Sequence, residues 1–301
     1  MKIVVLAKRS HSYSTERLVE AARERGHRCH ALDPEDCSLV LDGARPVVYY
    51  KSRRLLGVEV AVPRMGAAAS EFALSALQAI EALGAVCLNR PDSITNARDR
   101  FRSLRLLQDS GLRVPRTLLA RRPEELERKV ELLGGPPVVL RVLQGTHSVG
   151  AIAAENLPAI ISIVESFWEA GKNILLQRYA VERSGRLIRA FVVGGRVLAA
   201  VRRVVQLGGV RRRPQRPREA MPAELNRPCR ALAIRAAHVL NLDIAGVDLV
   251  EARGGPMVVE VNPSPGLEEL ELVTGVDLAG EIIRFAEVLT LSRAAGKEVP
   301  T

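Results

Sequence analysis

Several things are scarce in this chain of 301 residues, and each shortage excludes a class. Aromatic residues make up only 3% of the sequence while hydrophobic residues reach 47%, so the core must be aliphatic, built of Val, Leu, Ala and Ile. No apolar run approaches the ~20 residues that span a bilayer. The start, Met1 to Ala7, holds one cation and a very short apolar stretch; it reads as a first buried strand rather than a secretory signal, and a cytoplasmic location is expected. The four cysteines, Cys29, Cys37, Cys87 and Cys229, match neither a zinc spacing nor a CxxC pair and read as buried, indifferent thiols. The histidines form no HExxH or HxH cluster, and no GxGxxG follows the first strand, so nothing suggests dinucleotide binding.

Lysine is scarce too. Of 44 basic residues only six are lysines, and the formal net charge is +10. A skew this broad looks like coding bias, so a missing lysine need not mean a missing cation. The positive field favours an acidic or RNA-associated partner. The densest basic run, Arg211 to Arg218, lacks interleaved aromatics for base stacking. A loop meeting the phosphates of a small ligand, or solvated surface, suits it better than a nucleic-acid arm.

What is present reads as α/β. Ile3–Leu6, a helix over 14–25 with Ser14 as N-cap, and a strand over 28–32 make a β-α-β start with a right-handed crossover. A strand over 58–62, a helix over 72–83 and a strand over 85–88 close a first lobe. Further along, the pattern gives a helix over 96–109, a strand over 138–142, a glycine-bearing loop at 144–150, a helix over 158–169 and a strand over 174–179. Strands over 187–193 and 197–205 flank Gly194-Gly195, a two-residue hairpin signal. A helix over 226–241, strands over 244–251 and 257–261, and a helix over 276–289 follow, with the tail frayed from Ser292. The expected lobes are 1–90, 91–182 and 183–291, then a flexible tail at 292–301.

The chemistry concentrates in the last strand pair. Ala245-Gly246-Val247-Asp248-Leu249-Val250 and Met257-Val258-Val259-Glu260-Val261-Asn262 are joined by a Gly-rich turn. A three-residue loop centred on Gly254 sets Asp248 opposite Glu260, with Asn262 on the same face. Two carboxylates and an amide oxygen, short of a full cage, suit magnesium shared with substrate phosphates. Each lies amid Val, Leu and Ile, where an unpaired carboxylate is costly, so a metal or a cationic partner is expected.

At these residues the chain resembles a family. The run Glu260-Val261-Asn262-Pro263-Ser264-Pro265-Gly266-Leu267-Glu268 is similar to the closing signature of ATP-grasp ligases of the RimK type, whose namesake activity adds glutamates to the C-terminus of a ribosomal protein. Tyr49-Tyr50-Lys51, Val62 to Gly66, Asn96 to Ser103 and Thr274 to Gly280 match in order, so the resemblance covers roughly residues 1–290. It implies an ATP-grasp fold with an N-terminal pre-ATP-grasp lobe, and an ATP-dependent carboxylate–amine ligase working through an acyl-phosphate. Asp248, Glu260 and Asn262 would hold Mg2+ or Mn2+. Arg203 and Arg189 would serve the reaction. Arg100, Arg141, Gln177, Arg178, Tyr179, Leu187 and Arg211 would meet ATP, with the 145–150 loop as a lid. The implied partners are an amino-acid donor such as glutamate, a peptide or small carboxylate acceptor (a ribosomal protein among them), no membrane, and a homo-oligomer.

The chain also departs from that pattern. Arg100 and Arg141 stand where the family has phosphate-gripping lysines, Arg178 and Leu187 where it has acidic residues, Ser148 where it has a lid glycine, Arg213 where it has an asparagine, and Pro217-Arg218 where it has a Gly-Gly pair. An alternative reading follows: a catalytically degenerate ATP-grasp protein acting as a binding or regulatory partner.

Overall fold

A computed structural model describes residues 1–8, 11–66, 69–121, 126–143, 152–178, 186–204, 220–252 and 254–296. The first lobe contains β1 (Lys2–Leu6), α1 (Tyr13–Glu24), β2 (Arg28–Leu32), β3 (Cys37–Asp42), β4 (Arg45–Tyr50), β5 (Arg53–Arg54), β6 (Val60–Pro63), α2 (Glu71–Ala82) and β7 (Val86–Cys87). Its main sheet runs β2-β1-β6-β7, all parallel. Both faces of β1 are buried, as a parallel strand requires. Ile3 and Val5 join one core with Leu18 of α1, and Val4 and Leu6 join another with Leu74 and Leu77 of α2.

Next come α3 (Pro91–Arg98), α4 (Arg100–Asp109), β8 (Thr117–Leu119), α5 (Leu126–Leu133), β9 (Val138–Val142), β10 (Ile152–Ala154), α6 (Leu157–Glu169) and β11 (Ile174–Arg178). The strands form an antiparallel sheet in the order β10-β9-β11-β8, packed on α5 and α6. The last part holds β12 (Arg186–Val193), β13 (Arg196–Val204), β14 (Ala220–Pro222), α7 (Arg227–Val239), β15 (Ile244–Ala252), β16 (Gly255–Asn262), α8 (Glu268–Thr274) and α9 (Leu278–Ala294). Its five-stranded sheet runs β14-β13-β12-β15-β16. One face packs on α7 through Ile188, Ala190, Val247, Leu249 and Val261. At one end the opposite face meets α1, α8, α9 and the first lobe through Phe191, Val201 and Leu267. Past that contact the same face is left for a site.

The structure revises several expectations. The helix expected over 96–109 is two helices, because Asp99 is extended (φ −84°, ψ 105°) and caps α4 by accepting from the Arg102 N–H. The N-cap of α1 is Ser12. Ser14 lies in the first turn, and its hydroxyl accepts the Leu267 N–H at 3.0 Å instead. The antiparallel β3-β4-β5 sheet and α8 had no distinct signal. The final helix starts two residues late, capped by Asp277, and runs to Ala294, past the expected fraying at Ser292. The Gly194-Gly195 turn is as expected, with φ +52° and +72° as a type I′ hairpin needs.

Asn89 ties the lobes together. It is 1% exposed; its amide donates to the carbonyls of Ile244 (2.7 Å) and Pro263 (2.8 Å), and its oxygen accepts the Ile244 N–H (2.8 Å). Truncation would leave buried backbone groups unpaired at about 1–3 kcal/mol each. Asn89→Ala is therefore expected to destabilise the fold more in urea denaturation than Asn226→Ala, which removes a helix cap worth about 1 kcal/mol. Equal losses would refute that ranking.

The thiols titrate late. Burial pushes Cys87 up from the ordinary 9.0 to about 12, and Cys29 and Cys37 to about 11. The folded chain keeps protons that the unfolded chain releases, so this contribution is complete below pH 9 and is lost as pH rises through the folded values. Slow alkylation at pH 8 in the native state, with stability falling above pH 9, is the expected outcome. Rapid labelling of all four native thiols would contradict it.

Candidate active site

The site is laid out as cross-strand rows on the open face of the five-stranded sheet. Arg189 pairs with Asp248, and Asp248 with Glu260. One step along, Phe191 pairs with Gly246 and Gly246 with Asn262; one step the other way, Arg203 pairs with Leu187 and Leu187 with Val250. Directly opposed side chains sit about 5 Å apart at Cβ, so Asp248 and Glu260 face each other as the sequence predicted.

The local route to that register is different. The turn has two residues, since Ala252 already pairs with Gly255, and a bulge between Asp248 and Leu249 restores the expected offset. Leu249 pairs with Val258, and Val259 is the extra residue. Val258 thereby stays in the α7 core while Glu260 turns to the open face. Gly246 is required here for a steric reason: a Cβ would fall 2.8 Å from Cβ of Pro265. Its absence lets the chain after Asn262 fold back over β15.

Each acidic oxygen is matched by a cation or an N–H. Asp248, 4% exposed, takes a forked pair from Arg189 at 2.7 and 2.7 Å. Burial works to lower the Arg189 guanidinium, but the charge and hydrogen bonds of Asp248, helped by Glu260, outweigh it and raise it above the ordinary arginine value. Glu260 accepts from Arg100 (3.1 Å) and Arg141 (2.8 Å), which reach across from α4 and β9. The Asn262 oxygen accepts the Ser264 N–H at 2.9 Å. Arg203 forms a forked pair with Glu269 of α8, Nε to Oε1 at 3.1 Å and Nη2 to Oε2. Burial first, then the like charge of Arg189, brings the Arg203 guanidinium down to about 10, with Asp248 opposing. Glu269 is the partner that sequence reasoning missed, because its helix carried no signal.

A cleft between the second and third sheets is lined by Arg100, Ser103, Arg141, Gln177, Val259 and Glu260. Gln177 is buried and donates to the Thr117 hydroxyl at 3.2 Å. Arg178, the next residue, points the other way: it is exposed, and its Nε lies 3.6 Å from where a Cβ on Gly134 would sit. Its guanidinium therefore rests on that turn, away from the cleft, so this departure leaves the cleft wall unchanged. Leu187 does face the open side, beside Arg203 and Val250. Tyr179, Arg211, Arg213, the 145–150 loop with His147 and Ser148, and the 211–218 run lie outside the described residues.

The residues present fit a nucleotide phosphate and a hard cation. Among the described residues Nε of Arg100 and of Arg141 are buried without a hydrogen-bond partner, and phosphate oxygens would satisfy them. Among the described residues no three His, Cys, Asp or Glu side chains gather as a closed metal cage. Two carboxylates and an amide leave coordination positions for substrate oxygens and water, as magnesium prefers.

Comparison with known proteins shows the family. The RimK pre-ATP-grasp domain matches residues 1–94 and the RimK-like ATP-grasp domain residues 97–286. The chain belongs to the RimK-like ATP-grasp family. A probable alpha-L-glutamate ligase of Thioalkalivibrio sulfidiphilus is 39% identical over 287 residues, covering 95% of each chain. The ribosomal protein bS6–L-glutamate ligase of Salmonella paratyphi B is 40% identical, over 95% of this chain and 96% of its own. Among solved structures, a RimK domain ATP-grasp protein of Sphaerobacter thermophilus superposes with TM-score 0.72 at 25% identity, over 95% of this chain and 99% of that one. The ATP-grasp ligase PsnB, solved with a minimal precursor, Mg and ADP, shares the fold (TM-score 0.73, 19% identity, 96% of this chain and 98% of that one). No helix among the described residues is long and apolar enough to cross a membrane.

Among the described residues the Arg189–Asp248 pair is the most enclosed ion pair of this RimK-like site, with side chains 21% and 5% exposed. Breaking a buried pair from one side typically costs about 3–5 kcal/mol, while replacing both partners by apolar residues costs far less. Arg189→Leu is thus expected to destabilise the protein strongly in urea melts, and Arg189→Leu with Asp248→Leu to recover most of the loss. A double variant as unstable as the single one would disprove the charge argument.

Proposed function

We propose that the protein is an ATP-dependent carboxylate–amine ligase that adds glutamate, or a similar amino acid, to the C-terminal carboxylate of a polypeptide. The observation carrying this is the row Arg189–Asp248–Glu260 with Asn262 beside it, facing a cleft whose other wall supplies Arg100 and Arg141. The glutamate-ligase relatives, aligned over 95% of the chain, favour the same reaction.

In the first step an acceptor carboxylate oxygen attacks the γ-phosphorus of ATP, giving an acyl-phosphate and ADP. In the second, the amino group of the incoming amino acid attacks the acyl carbon; an amide bond forms, phosphate leaves, and the amine gives up a proton. Such phosphoryl transfer is governed by positioning and by neutralising charge. Magnesium or manganese held by Asp248, Glu260 and Asn262 would supply Lewis-acid neutralisation of the phosphates. Arg100 and Arg141 orient the phosphates from the cleft wall. Arg203 and Arg189 hold positive charge beneath the reacting carboxyl group. In this reading Gln177 and the main chain of Arg178 would border the base and Leu187 the ribose, while Tyr179 and Arg211, outside the described residues, are assigned to the nucleotide by the family resemblance alone. The division at residues 90, 182 and 291, and assembly as a homo-oligomer, belong to the same proposal.

With MgATP, glutamate and peptides ending in a free carboxylate, the protein should release ADP and phosphate and lengthen the peptide by mass spectrometry. Asp248→Asn and Glu260→Gln should each lower turnover by about 10²–10³, the usual effect of removing one group that stabilises developing charge. No turnover across a broad acceptor panel would sink the proposal and leave the degenerate binding subunit.

A further inference from the structure

Among the described residues, one arginine at the interlobe floor has no acidic partner of the kind the others have. Arg189 is matched to Asp248, Arg203 to Glu269, and Arg100 and Arg141 to Glu260. Arg64 is different: among the described residues its side chain makes a single hydrogen bond, from Nη2 to the neutral carbonyl of Pro265 at 2.7 Å.

Its position is set by the topology of the first lobe. In the order β2-β1-β6-β7 the chain steps from β1 to one side and later resumes on the other, so the switch point lies between β1 and β6. Open parallel sheets bind ligands beyond the carboxyl ends of the strands at such a point. Arg64 follows β6 directly, and its N–H is fixed to the Leu6 carbonyl at the end of β1, 2.7 Å away. The side chain reaches the 263–269 segment, which starts just after Asn262, accepts Arg203 through Glu269 and is held by Ser14 at Leu267. Arg64 thus approaches the floor from the first lobe, while Arg100 and Arg141 approach it from the nucleotide cleft.

We propose that Arg64 is the receptor for a non-reacting carboxylate of the substrate, on the incoming amino acid or on the acceptor peptide. A carboxylate matches the guanidinium fork with two parallel charge-assisted bonds. Burial brings the Arg64 guanidinium down to about 10, which keeps it cationic at neutral pH, and a half-buried cation is compensated poorly by one carbonyl. The nucleotide phosphates already have arginines on the other wall, so the reagent meeting Arg64 is the one without phosphate. This inference rests on the ligase reading above.

The test compares the wild type with Arg64→Gln and Arg64→Lys. One arm offers glutamate against its α-amide and against glutamine; the other offers acceptor peptides ending in Glu against peptides ending in Gln. The wild type should prefer the free carboxylate by about ten- to a hundred-fold in kcat/KM in one arm, the usual scale of a charged hydrogen bond. That preference should collapse towards unity in Arg64→Gln and survive in part in Arg64→Lys, and the arm that collapses identifies the source. An Arg64 that merely braces Pro265 would raise the magnesium and ATP requirements of Arg64→Gln but keep the preference, which would overturn the proposal. Calorimetric binding of glutamate and its α-amide, and of the Glu- and Gln-ending peptides, with a non-hydrolysable MgATP analogue gives the same comparison without turnover. It therefore stands even where the ligase reading fails. No difference between acid and amide in either pair of the wild type, or an equal difference in Arg64→Gln, would count against Arg64.

Discussion

Two carboxylates facing each other across one antiparallel ladder, on a face largely shielded from water, form the constraint around which the rest is arranged. Asp248 and Glu260 are opposed in register, and like charges at that separation repel strongly where the dielectric is low. Cations are built in from several sides to offset that repulsion. Arg189 is therefore on the neighbouring strand of the same sheet, Arg100 comes from α4, which shares the core of that sheet and α7, and Arg141 comes from β9 of the neighbouring sheet. The approach of β9 to β16 is in part an electrostatic requirement of this row.

The hairpin shows how a correct reading can rest on an incorrect detail. Strand period and loop length sufficed to oppose Asp248 and Glu260, because alternating side chains and a sum of positions do not depend on where the offset arises. The bulge at Val259 was hidden, since Met257, Val258 and Val259 are all apolar and give no period to break. The split at Asp99 was hidden for a similar reason. Arg98, Arg100 and Arg102 continue the helical pattern, and only the carboxylate that caps α4 interrupts it. The parallel sheet and the Gly194-Gly195 turn were legible because burial on both faces and positive φ leave few sequence choices. Glu269 was not, since its role depends on packing of a seven-residue helix over a strand far away in sequence.

Arg100 and Arg141 stand where the family resemblance implies lysines, and the geometry shows what a guanidinium fork does there. Arg100 divides its guanidinium between the Val142 carbonyl at 2.7 Å and Glu260 at 3.1 Å, so one side chain joins α4, β9 and β16. A lysine ammonium offers rotatable donors from one point and no planar, rigid fork. Arg100 thereby links β9 to β16 at the cleft, while Nε of Arg100 and of Arg141 have no hydrogen-bond partner among the described residues. Of the departures at described positions, Arg178 faces away over Gly134 and only Leu187 changes the floor itself.

The segment from Pro263 to Glu269 is where these constraints meet. Asn89 holds the Pro263 carbonyl, Arg64 the Pro265 carbonyl, Ser14 the Leu267 N–H and Arg203 the Glu269 carboxylate. Four contacts from the first and third lobes thus fix seven residues that begin immediately after Asn262. Because the Pro265 ring occupies the space over Gly246, the segment cannot shift without disturbing the strand that carries Asp248. A change in the first lobe at Ser14, Arg64 or Asn89 is therefore transmitted to the carboxylate row through packed atoms and hydrogen bonds. That coupling explains why a lobe contributing none of the Asp248, Glu260 and Asn262 oxygens is nevertheless built against the site.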